Sequence, residues 1–383
     1  GLEFSQEQTL RGTNGERLLV KDALGEPIRL DTIRDAKDGA AIELTIDAAI
    51  QAEAERVLAR VGETNTPVNA SAIVMDTRTS QVLAMANWPP VDLDELDGAG
   101  SESLLNVGTS YTFEPGSTFK AFTVASALES KTVTPESTFT LAPSIQVYDR
   151  VIEEGHDRGT VTLDVGDILA QSSNVGAVTI GLQMGGQKFS KWINRFGFGH
   201  PTGIEYPGEE RGIVLPYEDY SGSTMGNLPI GQGLAVTPIQ MVAAYSALAN
   251  GGVLKQPRLI KPVGGVESPE DPGRRVVSPE VASEVVDMLK GVLAPGGTAS
   301  EVSVPGYTLA GKTGTAQVAT KNGYSDSRYV ASFMGIAPAD NPRIAVSVMV
   351  NEPQNGHTGA EAAAPAFGEL ASFALPYLGV PTE

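Results

Sequence analysis

Apolar and polar positions change their period several times along the chain, and each change marks an element. Over 41–61, AIELTIDAAIQAEAERVLARV, a short apolar run gives way at Asp47 to apolar residues at helical spacing. That pattern predicts a short strand, Asp47 as a cap, and then an amphipathic helix. SAIVMDTRTSQVLAMANWPP carries two apolar runs joined by Asp76-Thr77-Arg78-Thr79-Ser80, which predicts a hairpin. From about 117 to 250 the spacing is mainly helical, broken by Gly- and Pro-rich loops such as PTGIEYPGEERGIVLP. Near the end, YTLAGKTGTAQV, RYVASFMGIA and RIAVSVMVNEP alternate or run apolar like strands, the last two joined at Pro338–Pro342. AEAAAPAFGELASFALPYL closes as a helix with a proline near its start.

Strands at both ends with helices between them predict an α/β chain, an α+β sandwich in which one antiparallel sheet is assembled from distant segments. Residues 1–38 differ: they are charged and weakly periodic, and read as a linker or the stub of another domain, leaving 39–383 as the main one.

Composition narrows the chemistry. At 383 residues and 41% apolar, the chain can build a sizeable core. Acidic residues outnumber basic ones 46 to 27, a formal charge of −19, which argues against nucleic acid or an anionic membrane surface as the main partner. The absence of cysteine excludes disulfides, thiol catalysis and Cys-ligated zinc. His156, His200 and His357 are scattered without metal-ligand spacing, so neither a metal nor another cofactor is expected. No stretch approaches ~18 apolar residues and no signal peptide is visible. The start at GLEFSQEQTLRGTNG, without Met, reads equally as a processed chain or as part of something larger.

Three short motifs carry the candidate chemistry. TFEPGSTFKAF places Ser117 and Lys120 three apart where a Pro-Gly segment enters a helical pattern. Residues i and i+3 share a helix face, so an amine can reach a hydroxyl, and a helix N-terminus offers N–H groups to a developing anion. A desolvated lysine beside another cation loses proton affinity and can take the serine proton. The competing interpretation of this pair is a helix-capping serine followed by a solvated lysine. QSSNVGAV supplies Ser172 and Asn174, read as a proton-relaying hydroxyl and an amide that holds a peptide-like substrate, or else as a polar loop. LAGKTGTAQV supplies Lys312, Thr313, Gly314 and Thr315 on a predicted strand, where glycine admits close approach of a ligand backbone. Lys-Thr-Gly is expected only about 0.1 times by chance. GYTLAGKT, Gly306 to Thr313, also fits a phosphate-loop pattern, but a β-patterned segment follows where that loop needs a helix. No G-x-S-x-G elbow is present, so a serine enzyme here would rely on lysine.

In this order the motifs resemble the serine acyl-transferases comprising penicillin-binding proteins and serine β-lactamases. LTIDAAIQAEAERVL, FEPGSTFK, IGQGLAVTPIQMVAAYSALANGG, APGGTA and VNEPQNGHTGAEAAAPAF look like class B penicillin-binding proteins over nearly the whole chain, most like the division-specific type. The first residues look like the junction with a non-catalytic pedestal, of which 1–38 would be a remnant. The resemblance implies a D,D-transpeptidase that releases terminal D-Ala and cross-links peptidoglycan stem peptides, is blocked covalently by β-lactams, and serves septal wall synthesis. It implies Ser117 as nucleophile, Lys120 as general base, Ser172 and Lys312 in proton transfer to the leaving group, and Asn174 on the substrate amide. Lys312, Thr313, Gly314 and Thr315 would line the carboxylate subsite, with N–H groups of Ser117 and Thr315 as the oxyanion hole. It also implies a single N-terminal membrane anchor outside this chain, an extracytoplasmic site of action, and a SEDS-family glycan polymerase among its division partners. The second motif is Ser-Ser-Asn, unlike the β-lactamase Ser-Asp-Asn. Glu102 to Asn106 fits E-x-x-L-N but lies upstream of Ser117, where it does not match the deacylating Glu of class A β-lactamases. The alternative within the same resemblance is a non-catalytic β-lactam sensor.

Overall fold

Strands buried on both faces need apolar residues at successive positions rather than alternating ones, and the segment 344–351, IAVSVMVN, is buried throughout. In the computed structural model, which describes residues 1–91, 104–261, 271–320 and 323–382, this segment and four other strands form one antiparallel sheet. They are β1 (Asn69–Asp76), β2 (Val82–Trp88), β3 (Ala310–Thr320), β4 (Gly323–Ala337) and β5 (Ile344–Asn351), in the order β3-β4-β5-β1-β2. The two ends of the chain therefore meet side by side in the sheet, with Val346 opposite Val74. Glu102 lies outside the described residues.

The helices that pack on the sheet and around the site include α1 (Ala48–Asn65), α2 (Lys120–Glu129), α3 (Asn174–Met184), α4 (Pro238–Ala249), α5 (Pro279–Lys290) and α6 (Ala364–Tyr377). Their starts are set by side chains: the Asp47 carboxylate accepts from Ala49 and Ile50 N–H, and Thr237 with Gln240 forms a capping box ahead of Pro238. Parity along β1 assigns the two faces. Ile73 and Met75 join Ile239, Val242 and Ala243 of α4, whereas Ala70, Ala72 and Val74 join the cluster that holds Ile50, Ala54 and Leu58 of α1 and Phe367 of α6. Helix α2 packs beyond the sheet, against α3 and α5.

The hairpin at 69–88, the capped helix α1 and the three late strands match expectation. Three details differ. The segment before Asp47 forms only an isolated bridge at Leu44 to Ile260, because it runs past the sheet without a partner strand long enough to zip. Two small ribbons, 138–141 with 161–164 and 144–147 with 150–153, interrupt the helical middle. Residues 1–38 are not featureless: Glu16–Lys21 pairs with Pro27–Arg34 in an exposed two-stranded ribbon. Among the described residues, no helix is long and apolar enough to cross a membrane.

Phe367 stacks on Phe333 with ring centroids 5.0 Å apart and is fully buried; it also fills the space that a side chain at Gly335 would need. Phe367→Ala should cost about 3–5 kcal/mol in urea denaturation. A loss below about 1 kcal/mol would show that α6 does not secure the sheet.

Candidate active site

Strand β3 is an edge strand, and the segment that carries Ser117 lies against it. Phe113 pairs with Val236, Gly116 N–H donates to Gly231 O at 3.0 Å, and Gly231, at φ +76°, approaches Gly116 O too closely for a side chain. Ser117 sits half-buried in a 3-10 turn, Gly116–Phe119, one turn ahead of α2, whose cap position is held by Phe119. Ser117 is thus not the helix cap. The turn is held from below by packing: Phe119 and Phe122 pack edgewise at 5.5 Å, Phe122 meets Tyr245 of α4 at 5.2 Å, and the buried Tyr245 hydroxyl donates to Thr118 O at 2.7 Å. Since α4 lies on the sheet, Tyr245 ties the serine turn to the sheet's coordinates.

Lys120 opens α2 and is fully buried. Its ammonium donates to Ser172 O at 2.6 Å, Asn174 Oδ1 at 2.7 Å and Ser172 Oγ at 3.2 Å. Burial holds its pKa well below the ordinary lysine value, the charge of Lys312 pushes it further down, Glu154 opposes the shift and Arg158 adds to it. Ser172 adopts a left-handed conformation, φ +59°, at the turn into α3. The middle residue of the motif, Ser173, is buried and caps α3 by accepting from Gly176 N–H at 2.9 Å. Asn174 donates its amide N–H to Glu153 O at 2.9 Å, which leaves its oxygen to face Lys120.

Lys312, Thr313, Gly314 and Thr315 all lie on β3. Lys312 is fully buried, with Nζ 3.3 Å from Thr313 O, and burial lowers its pKa to about 7. Thr313 Oγ1 lies 2.7 Å from Thr298 Oγ1. Thr315 is exposed, and its hydroxyl accepts from Gly359 N–H at 3.1 Å. The close approach that Gly314 permits is to the protein itself: a Cβ there would lie 2.9 Å from Pro115 O and 2.9 Å from Thr118 Cγ2. The strand continues from Lys312 to Thr320 with no helix behind it, so Gly306–Thr313 has no phosphate-loop geometry.

The structure therefore gathers Lys120, Ser172 and Asn174 into one hydrogen-bonded cluster, sets Lys312 near enough to act on it by charge, and lays the Ser117 turn along Gly314–Ala316. Several residues of this neighbourhood are not among the residues assigned a role from the three short motifs. Glu154 and Arg158 back the second motif. Thr298 meets Thr313, and Gly359 fits against Gly314 O and Ser332 O where a side chain would collide. Glu114 accepts from Gly233 N–H at 3.0 Å and from the Tyr324 hydroxyl at 3.1 Å, and burial raises its pKa. Glu114, Thr298 and Gly359 lie in the segments FEPGSTFK, APGGTA and VNEPQNGHTGAEAAAPAF that carry the resemblance, and Gly359 also has a local physical signal, the capping box Thr358-x-x-Glu361 beside it.

A buried lysine whose folded-state pKa lies at about 7, against an ordinary value of 10.5, opposes folding in its charged form. That penalty is full below about 7 and fades as pH rises toward 10.5. Lys312→Met should therefore melt above the wild type at pH 7 and below, with the gap closing by pH 10. A gap that does not vary with pH would contradict the depressed proton affinity.

A family model described as the penicillin binding protein transpeptidase domain matches residues 70–372. The chain is 36% identical to the penicillin-binding protein PbpB of Mycolicibacterium smegmatis over 399 residues, covering 100% of this chain and 62% of the relative. It is 32% identical to the peptidoglycan D,D-transpeptidase FtsI of Escherichia coli, covering 97% of this chain and 62% of that one. The crystal structure of penicillin-binding protein 3 from Mycobacterium tuberculosis complexed with ampicillin superposes with a TM-score of 0.87 at 34% identity, covering 100% of this chain and 85% of that chain. The chain thus spans about three fifths of the full length of the first two relatives.

Proposed function

The chain belongs to the penicillin-binding protein transpeptidase family, and on that premise we propose that it is the catalytic part of a peptidoglycan D,D-transpeptidase of the division type. The observation that carries the reading is Lys120: an amine without contact to water, bound to both functional residues of the second motif and repelled by Lys312. Such an amine is suited to accept a proton from a serine at neutral pH.

The reaction we propose has two halves. Ser117 Oγ attacks the carbonyl carbon of the penultimate D-Ala while Lys120 takes its proton. The oxyanion of the tetrahedral intermediate lies between the N–H groups of Ser117 and Thr315. Collapse breaks the peptide bond; the leaving D-Ala amine receives a proton through Ser172, supported by Lys312. The amine of a neighbouring stem peptide then attacks the ester, and Ser117 recovers its proton. Asn174 orients the donor amide, and Lys312, Thr313, Gly314 and Thr315 bind the terminal carboxylate. Support for the carboxylate subsite is the pairing of a buried cation with two hydroxyls on one strand.

The same reading makes 1–38 the remnant of a pedestal and 39–383 the transpeptidase domain. It places the protein on the extracytoplasmic face of the membrane, held by an anchor outside this chain, with a SEDS-family polymerase and division proteins as partners. The ampicillin-complexed relative supports β-lactams as ligands.

Benzylpenicillin should add once, covalently, at Ser117, as read by intact mass and peptide mapping. A label on another residue, or none, would remove the assignment. Lys120→Met should fold and yet lose acylation rate by orders of magnitude, about 10²-fold or more. A variant that acylates within about threefold of wild type would show that Lys120 is not the base.

A further inference from the structure

Behind the second motif sits an ion pair that the mechanism above does not use. The Glu154 side chain is 5% exposed and that of Arg158 18%. The Glu154 carboxylate accepts from Asn174 N–H at 2.8 Å, from the Ser173 hydroxyl at 2.6 Å, from Val175 N–H at 3.3 Å and from Arg158. Arg158 in turn donates to Ser173 Oγ at 2.8 Å. The carboxylate thus satisfies free N–H groups at the start of α3, and it does so around Ser173, the cap residue that follows Ser172 in its left-handed turn.

Stability alone is a poor reason for this arrangement. A buried ion pair loses in desolvation much of what it gains in attraction, and well-packed apolar residues would serve as well or better. Arg158 Nε is moreover buried with no hydrogen-bond partner, which is an added cost. We propose that Glu154 and Arg158 form a positioning pair for acylation, locking the Ser172–Asn174 turn so that its oxygens converge on Lys120. The inference rests on the transpeptidase reading and names residues that act through Lys120 without touching substrate.

The pair also acts through space. The carboxylate favours the ammonium form of Lys120 and the guanidinium disfavours it, alongside Lys312 on β3. Lys312 itself is lowered by burial, and His156 and Asp157 lie exposed on the same loop as the pair. A change at Glu154 or Arg158 therefore reaches the pH profile through Lys120.

Acylation needs the neutral amine, so its rate rises as pH passes the lysine's pKa. Stopped-flow acylation by nitrocefin across pH, with melting temperatures measured in parallel, tests the proposal. Glu154→Gln removes the charge that holds the proton on Lys120, so the acidic limb should move to lower pH by about one unit. Arg158→Gln removes a repelling charge, so the limb should move to higher pH by a similar amount. The double variant should return toward the wild-type limb while acylating more slowly, because the turn is no longer locked. Limbs that stay in place, or that move in the same direction in both single variants, would overturn the inference. If Glu154→Gln does not fold, Arg158→Gln decides alone: an upward shift supports the pair, and no shift or a downward one refutes it. A wild type that takes no label at Ser117 would overturn both this inference and the transpeptidase reading, whereas labelled wild type with unmoved variants overturns this inference alone.

Discussion

Keeping water from Lys120 is the constraint on which the site depends. An ammonium moved out of water loses hydration worth far more than one hydrogen bond, and the structure answers with three acceptors, Ser172 O, Ser172 Oγ and Asn174 Oδ1. Those acceptors favour the charged form, while burial and the neighbouring charge of Lys312 favour the neutral one. The two tendencies oppose each other at a single atom. A group under both influences can take a proton and return it. Exposing the amine would remove the balance by restoring an ordinary lysine.

Enclosing one amine takes three chain segments that are far apart in sequence, and the close approaches are made at glycines. Gly231 lets its loop seat against Gly116 O, Gly314 lets β3 pass beside Pro115 and Thr118, and Gly359 lets the C-terminal turn lie on Gly314 and reach Thr315 Oγ1. A Cβ at any of these would push one wall of the site outward. The rigidity behind them is ordinary core: Tyr245 and the Phe119–Phe122 pair transmit the position of α4 to the serine turn. Precision at the site is thus inherited from sheet packing rather than generated locally.

The sequence reveals those parts of this arrangement that are contiguous. Both faces of β4 and β5 are covered, so RYVASFMGIA and RIAVSVMVNEP read plainly as strands, and Asp47 and Asp76–Ser80 mark a cap and a turn by local chemistry. Ser117, Lys120, Ser172, Asn174 and Lys312 are legible because each lies in a short motif whose order carries information. Glu154 is not, because besides Arg158 and the Ser173 hydroxyl it is held by backbone N–H groups of a helix start 20 residues on, and any sequence can supply those. Thr298 meets Thr313 only after α5 and the turn behind it have folded. The two ribbons between 138 and 164 escape for a related reason: their strands are four residues long, so an alternation such as Thr-Phe-Thr-Leu or Ser-Ile-Gln-Val is too short to stand out.

The charge of the whole chain and the charge of its site have opposite signs, and distance reconciles them. A formal charge of −19 would repel an anionic ligand if the field acted at long range. At physiological ionic strength, exposed charges are screened over about 8 Å, so most of those carboxylates do not act on a ligand already beside the Ser117 turn. Lys312 and Lys120, by contrast, are fully buried in surroundings from which water is largely removed, and Glu154 is already engaged by Arg158 and the start of α3. There the interaction is weakly screened and correspondingly strong. A carboxylate entering beside Lys312 would also raise that lysine's proton affinity from about 7 toward the ordinary value. Lys312 would then hold its proton, and its charge acts against a proton on the buried Lys120.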